Sequence, residues 1–207
     1  MPLEIEPALE PSAIHLWNEY VARYHPLGYK RPFGAHQRYF IVSRAGGQKR
    51  LLGCPLSAAS AWALAARDAW IGWSPQDRSL RLHGIVNNTR FLIFPWVQIE
   101  NLASKALAMA AKRLRADWQK RYGYVPVLLE TFVDMAHYAG TCYLAANWLD
   151  LGETVGRGRM DRYREYPSTP KRILAYPLVR DFRVYLCGQR PYLQGPISED
   201  REEEPYE

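Results

Sequence analysis

The sequence has few cysteines and no long apolar run, and each shortage removes a class of protein. Its three cysteines are Cys54, Cys142 and Cys187, which are odd in number and widely separated. They form no CxxC pair, no zinc-binding spacing and no disulfide framework, so the sequence predicts a reduced, cytoplasmic protein without a metal site. No apolar run approaches the roughly 18–20 residues that a membrane span needs.

The N-terminus also lacks the pattern of a signal peptide. The first twelve residues, MPLEIEPALEPS, are acidic and contain prolines, instead of a basic segment followed by an apolar one. We expect residues 1–12 to be a flexible lead-in. We expect residues 13–196 to form a single domain, because a chain of 207 residues can bury one sizeable core.

Positive charge dominates once the C-terminus is set aside. The chain contains 27 Lys and Arg against 21 Asp and Glu, a formal net charge of +6. Residues 197–207 hold six of the acids and one arginine, so the remaining 26 basic and 15 acidic residues give residues 1–196 a net charge of +11. The acidic tail is expected to be disordered. The basic body favours an anionic partner such as nucleic acid or a nucleotide cofactor, and a solvated basic surface is the alternative.

Hydrophobic periodicity predicts alternating helices and strands. Helices are expected over residues 12–25, from SPQD onward at 74, from Asn101 to Gly123, and over 138–152 with a stop at Gly152. Strands are expected over residues 38–43, 49–59, 89–97 and 125–133, and residues 172–179 and 182–188 suggest a final strand or a pair of strands. This order predicts an α/β or α+β domain with a mixed sheet flanked by helices.

A family resemblance rests on the central motifs. NNTRFLIFPWVQIENLASKAL and PVLLETFVDMAHYAGTCYLAANWLDLGETVGRGR, with HPLGYKRPFGAHQRYFIV, LLGCPLSAASAW and RDAWIGWS upstream, stand in this sequence. Through them residues 15–160 resemble the Druantia protein DruA family of antiphage defence systems. The resemblance implies a bacterial defence component with other defence-system proteins as partners. The family's element order is similar to the GNAT acyltransferase fold, which includes the Mom DNA-modification protein of phage.

The acyltransferase resemblance implies a cofactor site where a strand leads into the long helix. In that fold, this junction holds the pyrophosphate of an acyl-coenzyme A. The residues implied on this chain are Phe94, Trp96, Asn101, Ser104 and Asn147. The chain departs from the pattern, because QIENLAS, without glycine, replaces the glycine-rich loop that lets backbone approach phosphate closely. A plain N-cap is the other interpretation of Asn101.

Four side chains are candidates for acid–base chemistry. Glu130 suits a general base, His25 has an ordinary pKa near neutrality, and the resemblance implies that Tyr143 is a general acid. Asp134 shares a strand face with Glu130 but lies about 13 Å away along an ideal strand, too far to share a proton. Structural roles remain open as well: Glu130 would pair with a buried arginine such as Arg90, and Asp134 would cap a turn.

The segment GRGRMDRYREYPSTPKR interleaves cations with tyrosines, a pattern that suits phosphate contacts and base stacking. The predicted nucleic-acid-binding residues are Arg157, Arg159, Arg162, Arg164, Lys171 and Arg172. DNA is the favoured nucleic acid.

Two functions therefore compete. One is a nucleic-acid-associated DruA-type protein that transfers a group to DNA, RNA or protein with an atypical cofactor loop. The other is a non-catalytic nucleic-acid-binding or scaffold subunit of a defence or mobile-element assembly. A cofactor-sized cavity faced by Glu130, Tyr143 or His25 would favour the first function. Packing of that space by a tryptophan such as Trp96 or Trp148 would favour the second.

Overall fold

The computed structural model describes residues 2–154 and 169–190, which fold around one mixed β-sheet. Its strands are β1 (Leu3–Pro7), β2 (His36–Ser43), β3 (Arg50–Ala59), β4 (Ile85–Ile93), β5 (Leu128–Asp134), β6 (Leu149–Glu153) and β7 (Lys171–Pro177). Its α-helices are α1 (Pro11–Tyr24), α2 (Ala65–Ile71), α3 (Pro75–Arg81), α4 (Leu102–Tyr122), α5 (Thr141–Leu144) and α6 (Phe182–Leu186). The predicted mixed sheet flanked by helices is confirmed.

One parallel strand pair divides the sheet. The strand order is β1-β2-β3-β4-β5-β7-β6, and neighbouring strands are antiparallel except β4 and β5, which α4 connects. The parallel pairing runs only from Ile85 opposite Leu128 to Asn87 opposite Glu130. Beyond those residues β4 pairs with β3 alone and β5 with β7 alone. The two strands therefore part towards their C-terminal ends, and we refer to the opening between them as the β4–β5 split.

A β-bulge in β4 changes which side chains face each side of the sheet. Ser57 of β3 pairs with Asn88 and Leu56 pairs with Arg90, so Thr89 is an extra residue in β4. Val86 before the bulge and Phe91 after it consequently belong to the same hydrophobic core, although they are an odd number of residues apart.

Helices cover both faces of the sheet. On one face lies α4, whose buried side chains recur at helical spacing and include Leu107, Leu114 and Trp118. This helix ends at Gly123, as predicted, because the glycine adopts a left-handed conformation with φ 77°. On the other face α1 packs over β2–β4, and α2 and α6 pack over β4, β5 and β7.

The predicted flexible lead-in is wrong for residues 3–7. They form β1, an edge strand hydrogen-bonded to β2. The side chain of Ile5 is buried in the core, whereas Glu6 faces outward and bonds to Arg44 and Lys49. The helix that follows begins at Pro11, with an extended Glu10 before it.

Several other boundaries differ from the prediction. The helix expected over 138–152 ends at Leu144, and residues 149–153 form β6. The strand expected at 182–188 is largely helix α6. Strand β4 begins and ends four residues before the expected 89–97, because the chain turns at Pro95, which has no N–H for a sheet. The helix start at Ser74 is confirmed by a capping box with Asp77.

Two further expectations concern the chain ends and the membrane. The acidic segment 197–207 lies outside the described residues. Among the helices described, none has the length and apolar character to cross a membrane.

The integration of β1 gives a direct test. Replacing Ile5 with alanine should destabilise the protein by about 2–4 kcal/mol, because it leaves a cavity in the core beneath β1. Chemical unfolding in urea measures this change. The control is L9A, since Leu9 is 55% exposed and its truncation should cost less than about 0.5 kcal/mol. Equal effects of the two changes would contradict the packing of β1.

Candidate functional site

Glu130, the candidate base, is in a buried ion pair. It lies in the middle of β5 with 0% exposure, and so does Arg67 of α2. The Arg67 Nη1 atom donates to Glu130 Oε2 and to the carbonyl oxygen of Ala61, both at 2.9 Å. The Ala61 N–H donates to Glu130 Oε1 at 2.9 Å. The ion pair therefore satisfies both backbone polar groups of Ala61 and joins α2 to the centre of the sheet.

Asp68 extends this ion pair into a network. Its Oδ1 accepts bonds from Arg67 Nε and Nη2 at 2.9 and 2.8 Å, and from the indole N–H of Trp73 at 3.2 Å. Its Oδ2 accepts from Arg78 Nη1 at 3.1 Å. Burial raises the pKa of the Asp68 carboxyl, but Arg67, the Leu64 N–H and Arg78 together outweigh this effect, so the pKa lies below its ordinary value. Arg67 is thus flanked by two carboxylates.

The electrostatics of Glu130 combine opposing effects. Burial raises the pKa of its carboxyl above the ordinary value, while Arg67 and the Ala61 N–H favour the charged form. Both carboxylate oxygens already accept hydrogen bonds. The expected arginine partner, Arg90, instead donates to the backbone carbonyl of Gly28.

Tyr143, the candidate acid, lies on the opposite face of the sheet from Glu130. It packs with Leu129 and Val133 in the core beneath α4, whereas Glu130 points towards α2. The Tyr143 hydroxyl donates to Asn88 Oδ1 at 2.7 Å. Burial raises the pKa of this hydroxyl well above its ordinary value, so it gives up a proton less readily than a solvated tyrosine.

Polar and aromatic side chains close the β4–β5 split where the strands part. The hydroxyl of Thr131 in β5 donates to the carbonyl oxygen of Asn88 in β4 at 2.9 Å. The ring of Trp148 packs edge-on against Tyr143, with centroids 5.0 Å apart, and Phe91 lies 6.0 Å from Tyr143. Trp148 is 4% exposed. Trp148 is one of the tryptophans whose packing in the cleft was expected of a non-catalytic protein.

His25 and Asp134 have local structural roles. The Nδ1 atom of His25 accepts the Leu27 N–H at 3.1 Å, which places the proton of the neutral ring on Nε2. The carboxylate of Asp134 accepts from the Ala136 N–H at 3.1 Å and from His137 Nδ1 at 3.1 Å, and so caps the turn after β5. The Ala136 N–H contributes most to lowering the pKa of this exposed carboxyl.

The four candidates for acid–base chemistry are therefore not assembled around one point. Two are on opposite faces of the sheet, one follows α1 and one follows β5. Their catalytic roles stay predictions, while their structural bonds are observed.

The implied cofactor residues lie on two connections and in the first turn of α4. Phe94 is buried and stacks on the half-exposed Trp96, with ring centroids 4.9 Å apart. Asn101 precedes α4 with φ 56°, and its side chain makes no capping bond. The Ser104 hydroxyl donates to the Asn101 carbonyl oxygen at 3.2 Å. Asn147, exposed and also left-handed with φ 62°, lies after α5.

The loop between β4 and α4 does not fit the pyrophosphate of acyl-coenzyme A. It contains no glycine, and Pro95 has no N–H to offer. The N–H groups of Val97 and Leu102 donate to carbonyl oxygens within the loop, at 2.9 and 3.3 Å. Glu100 adds a carboxylate two residues before the start of α4, and this charge would repel a phosphate.

Part of the predicted nucleic-acid surface can be placed. Arg157, Arg159, Arg162 and Arg164 lie outside the described residues. Lys171 and Arg172 begin β7, beside the C-terminal end of β5. Arg172 pairs with Asp150 at 3.2 Å and donates to the Ala139 carbonyl oxygen at 2.9 Å, so it also stabilises the fold here.

Metal-ligand geometry is absent from the described segments: residues 2–154 and 169–190 contain no group of three or more His, Cys, Asp or Glu side chains that would hold an ion.

Arg67 and Asp68 were not among the site residues predicted from the sequence. An arginine within an alanine-rich helix is normally exposed, so the local sequence does not predict that Arg67 is buried. The neighbouring WIGW motif, whose Trp73 contacts both residues, was the available signal.

Breaking the Arg67–Glu130 pair should be costly. The substitution R67M leaves Glu130 buried without its cation, and we expect it to lower the free energy of unfolding by about 3–5 kcal/mol. Urea unfolding measures the loss. The double variant R67M/E130Q should recover part of it, because the amide still accepts the Ala61 N–H and carries no charge.

The matched control is R23M, which removes an exposed arginine paired with Glu19. That change should cost less than about 1 kcal/mol. A loss of similar size in R67M would show that the buried pair does not hold the fold.

His25 should make the stability depend on pH. Burial and the nearby Arg90 lower its pKa from 6.5 to about 4, so the folded protein binds this proton less readily than the unfolded chain. The contribution of neutral His25 to the free energy of unfolding is therefore complete above pH 6.5, and it is lost as the pH falls from 6.5 towards 4.

The substitution H25N supplies the control, because its Oδ1 still accepts the Leu27 N–H but does not titrate. The decrease in melting temperature from pH 7 to pH 5 should be smaller for H25N than for the wild type. An identical fall would remove His25 as a source of the pH dependence.

Comparison with known proteins gives distant structural neighbours. FeeM, an N-acyl amino acid synthase from uncultured soil microbes, aligns with a TM-score of 0.48 and 12% identity over 86% of this chain and 92% of its own. The KacTA–DNA complex gives 0.45 and 16% over 86% and 94%, and Tetrahymena GCN5 gives 0.43 and 11% over 85% and 96%. Likenesses this distant carry no argument about activity.

Family membership is clearer. No curated protein sequence matches the chain. The model of the Druantia protein DruA family matches residues 1–168, which is 168 of the 207 residues. The chain therefore belongs to the Druantia protein DruA family.

Proposed function

We propose that this chain is a nucleic-acid-associated component of an antiphage defence system of the Druantia type, and that it acts by binding rather than by group transfer. Family membership supports the defence context. The net charge of +11 over residues 1–196 supports an anionic partner. Cytoplasmic location and partnership with other defence proteins belong to the same proposal.

The closed β4–β5 split is the observation that carries the binding function. Asn88 accepts hydrogen bonds from the Tyr143 hydroxyl and the Thr131 hydroxyl at the split, and the ring of Trp148 packs against Tyr143. A transferase of this fold would need open space here for its acyl group. Glu130 is neutralised by Arg67 on the far face of the sheet. Neither feature suits a proton-transfer site.

Exposed cations supply the means of holding phosphates. In the part of the chain that the structure describes, those without an ion pair include Lys30 and Arg31 on the α1–β2 connection. Each cation that contacts a phosphate releases a counterion, so affinity should fall steeply with salt. The unpaired cations support binding to a polyanion, with DNA as the favoured one.

Group transfer is the second candidate, because the parting of β4 and β5 is the feature on which an acyl-coenzyme A site would be built. The loop that precedes α4 argues against it, since the N–H groups of Val97 and Leu102 are occupied by carbonyl oxygens of the loop and the loop contains Pro95 and Glu100. The transfer hypothesis requires that the protein bind acyl-coenzyme A, which gives it a clear test.

Fluorescence anisotropy of labelled DNA and RNA against the protein tests the proposal. We expect affinity to fall by about tenfold or more between 50 and 200 mM salt. The triple variant R157A/R159A/R162A should bind at least about tenfold more weakly, because three phosphate contacts are removed. The control R50A/K105A/K112A removes the same charge from other parts of the chain and should lose much less.

The outcomes separate the hypotheses. Absence of binding to any nucleic acid at low salt would contradict the proposal and direct attention to protein partners. Adding acetyl-coenzyme A should leave the titration unchanged, and calorimetry should detect no binding of it. Saturable binding of acetyl-coenzyme A would instead favour the transferase.

A further inference from the structure

A long stretch of the chain has no negative charge. From residue 20 to residue 67 the sequence contains eight Lys and Arg but neither Asp nor Glu. This stretch includes the α1–β2 connection and the segment between β3 and α2. Both lie at the end of the sheet where β4 and β5 begin, because His36 of β2 pairs with Ala58 of β3, and Ala59 pairs with Val86.

Two aromatic side chains are exposed on these connections. Phe33 is 91% exposed and Trp62 is 59% exposed. The connections are adjacent, since a Cβ built on Gly34 would lie 3.7 Å from the Cβ of Ala59. Scattered single apolar side chains are ordinary on a protein surface, whereas large ones exposed together on adjacent connections are typical of a binding surface.

The fold holds Trp62 in place through its neighbour. Ala61 donates its N–H to Glu130 and its carbonyl oxygen accepts from Arg67, so the backbone next to Trp62 is fixed to the sheet. The guanidinium of Arg78 lies 6.0 Å from the Trp62 ring centroid. The remaining indole surface faces solvent, where a planar group can stack on it.

Cations surround these rings. Lys30 and Arg31 are exposed on the same connection as Phe33. Burial, with the positive charge of Arg38, Arg121 and Arg31, lowers the pKa of His36, which shows that several cations converge near this end of the sheet. Exposed aromatics between cations match the needs of unpaired bases joined by phosphates.

We propose that this surface, formed by Lys30, Arg31, Phe33 and Trp62, binds single-stranded nucleic acid by stacking bases on the two rings. It lies at the opposite end of the sheet from Lys171, which pairs with Asp134 at the C-terminal end of β5. The inference rests on the proposed function in taking nucleic acid as the ligand, but it names a separate surface. Single strands are specified because the base faces of a duplex are already stacked.

Anisotropy with fluorescein-labelled oligothymidylate and a duplex of equal length tests the inference on the full chain. F33A and W62A should each weaken oligothymidylate binding by about fivefold or more and leave duplex binding within about twofold. K30A/R31A should weaken binding and reduce its salt dependence. The controls are L80A, which truncates a side chain 62% exposed on α3, and R50A/K112A, which removes one lysine and one arginine elsewhere.

Each result is decisive. If F33A and W62A bind oligothymidylate as tightly as the wild type and the controls, the stacking surface is overturned and the proposed function stands. Equal weakening of single-strand and duplex binding also overturns stacking of unpaired bases. Failure of the wild type to bind any nucleic acid overturns both proposals. Melting temperatures within a few degrees of the wild type confirm that the variants are folded, as expected for side chains this exposed.

Discussion

The buried ion pair between Arg67 and Glu130 is the constraint on which the rest of the structure depends. Two fully buried charges are tolerated because each neutralises the other and because Asp68 and Ala61 complete their hydrogen bonds. The pair joins α2 to the central strand β5 and fixes the chain just before Trp62. A carboxylate suited to catalysis by its residue type is thereby used to assemble the fold, and the surface it supports is basic and aromatic.

Candidate functional side chains also have structural roles at the β4–β5 split. Where the two strands part, Asn88 Oδ1 accepts a hydrogen bond from the Tyr143 hydroxyl of α5, and the Asn88 carbonyl oxygen accepts one from the Thr131 hydroxyl of β5. The aromatic ring of Trp148 packs edge-on against that of Tyr143. The loop before α4 lacks glycine and uses its own N–H groups. A fold does not by itself imply a reaction, and the proposal of binding without group transfer rests on these contacts.

Structural features that depend on one segment of the chain were predictable from the sequence, and features that depend on distant segments were not. The bounds of α4 were predictable because helical spacing and Gly123 specify them within one segment. The LEIE alternation of β1 was a genuine strand signal that the neighbouring prolines concealed. Helix α6 was mistaken for a strand because a short apolar run fits either period. Burial of Arg67 was not predictable, since it depends on β5, which lies more than sixty residues further along the chain.

The most direct test of the account is phage plaquing on cells that carry the complete defence module with R67M/E130Q in this chain. The assay is run at a temperature at which circular dichroism shows the variant folded and anisotropy shows that it binds nucleic acid as the wild type does. The account predicts that protection is then retained, because Glu130 acts through the fold. Loss of protection by a variant that is folded and binds normally would contradict it and assign Glu130 a part in chemistry.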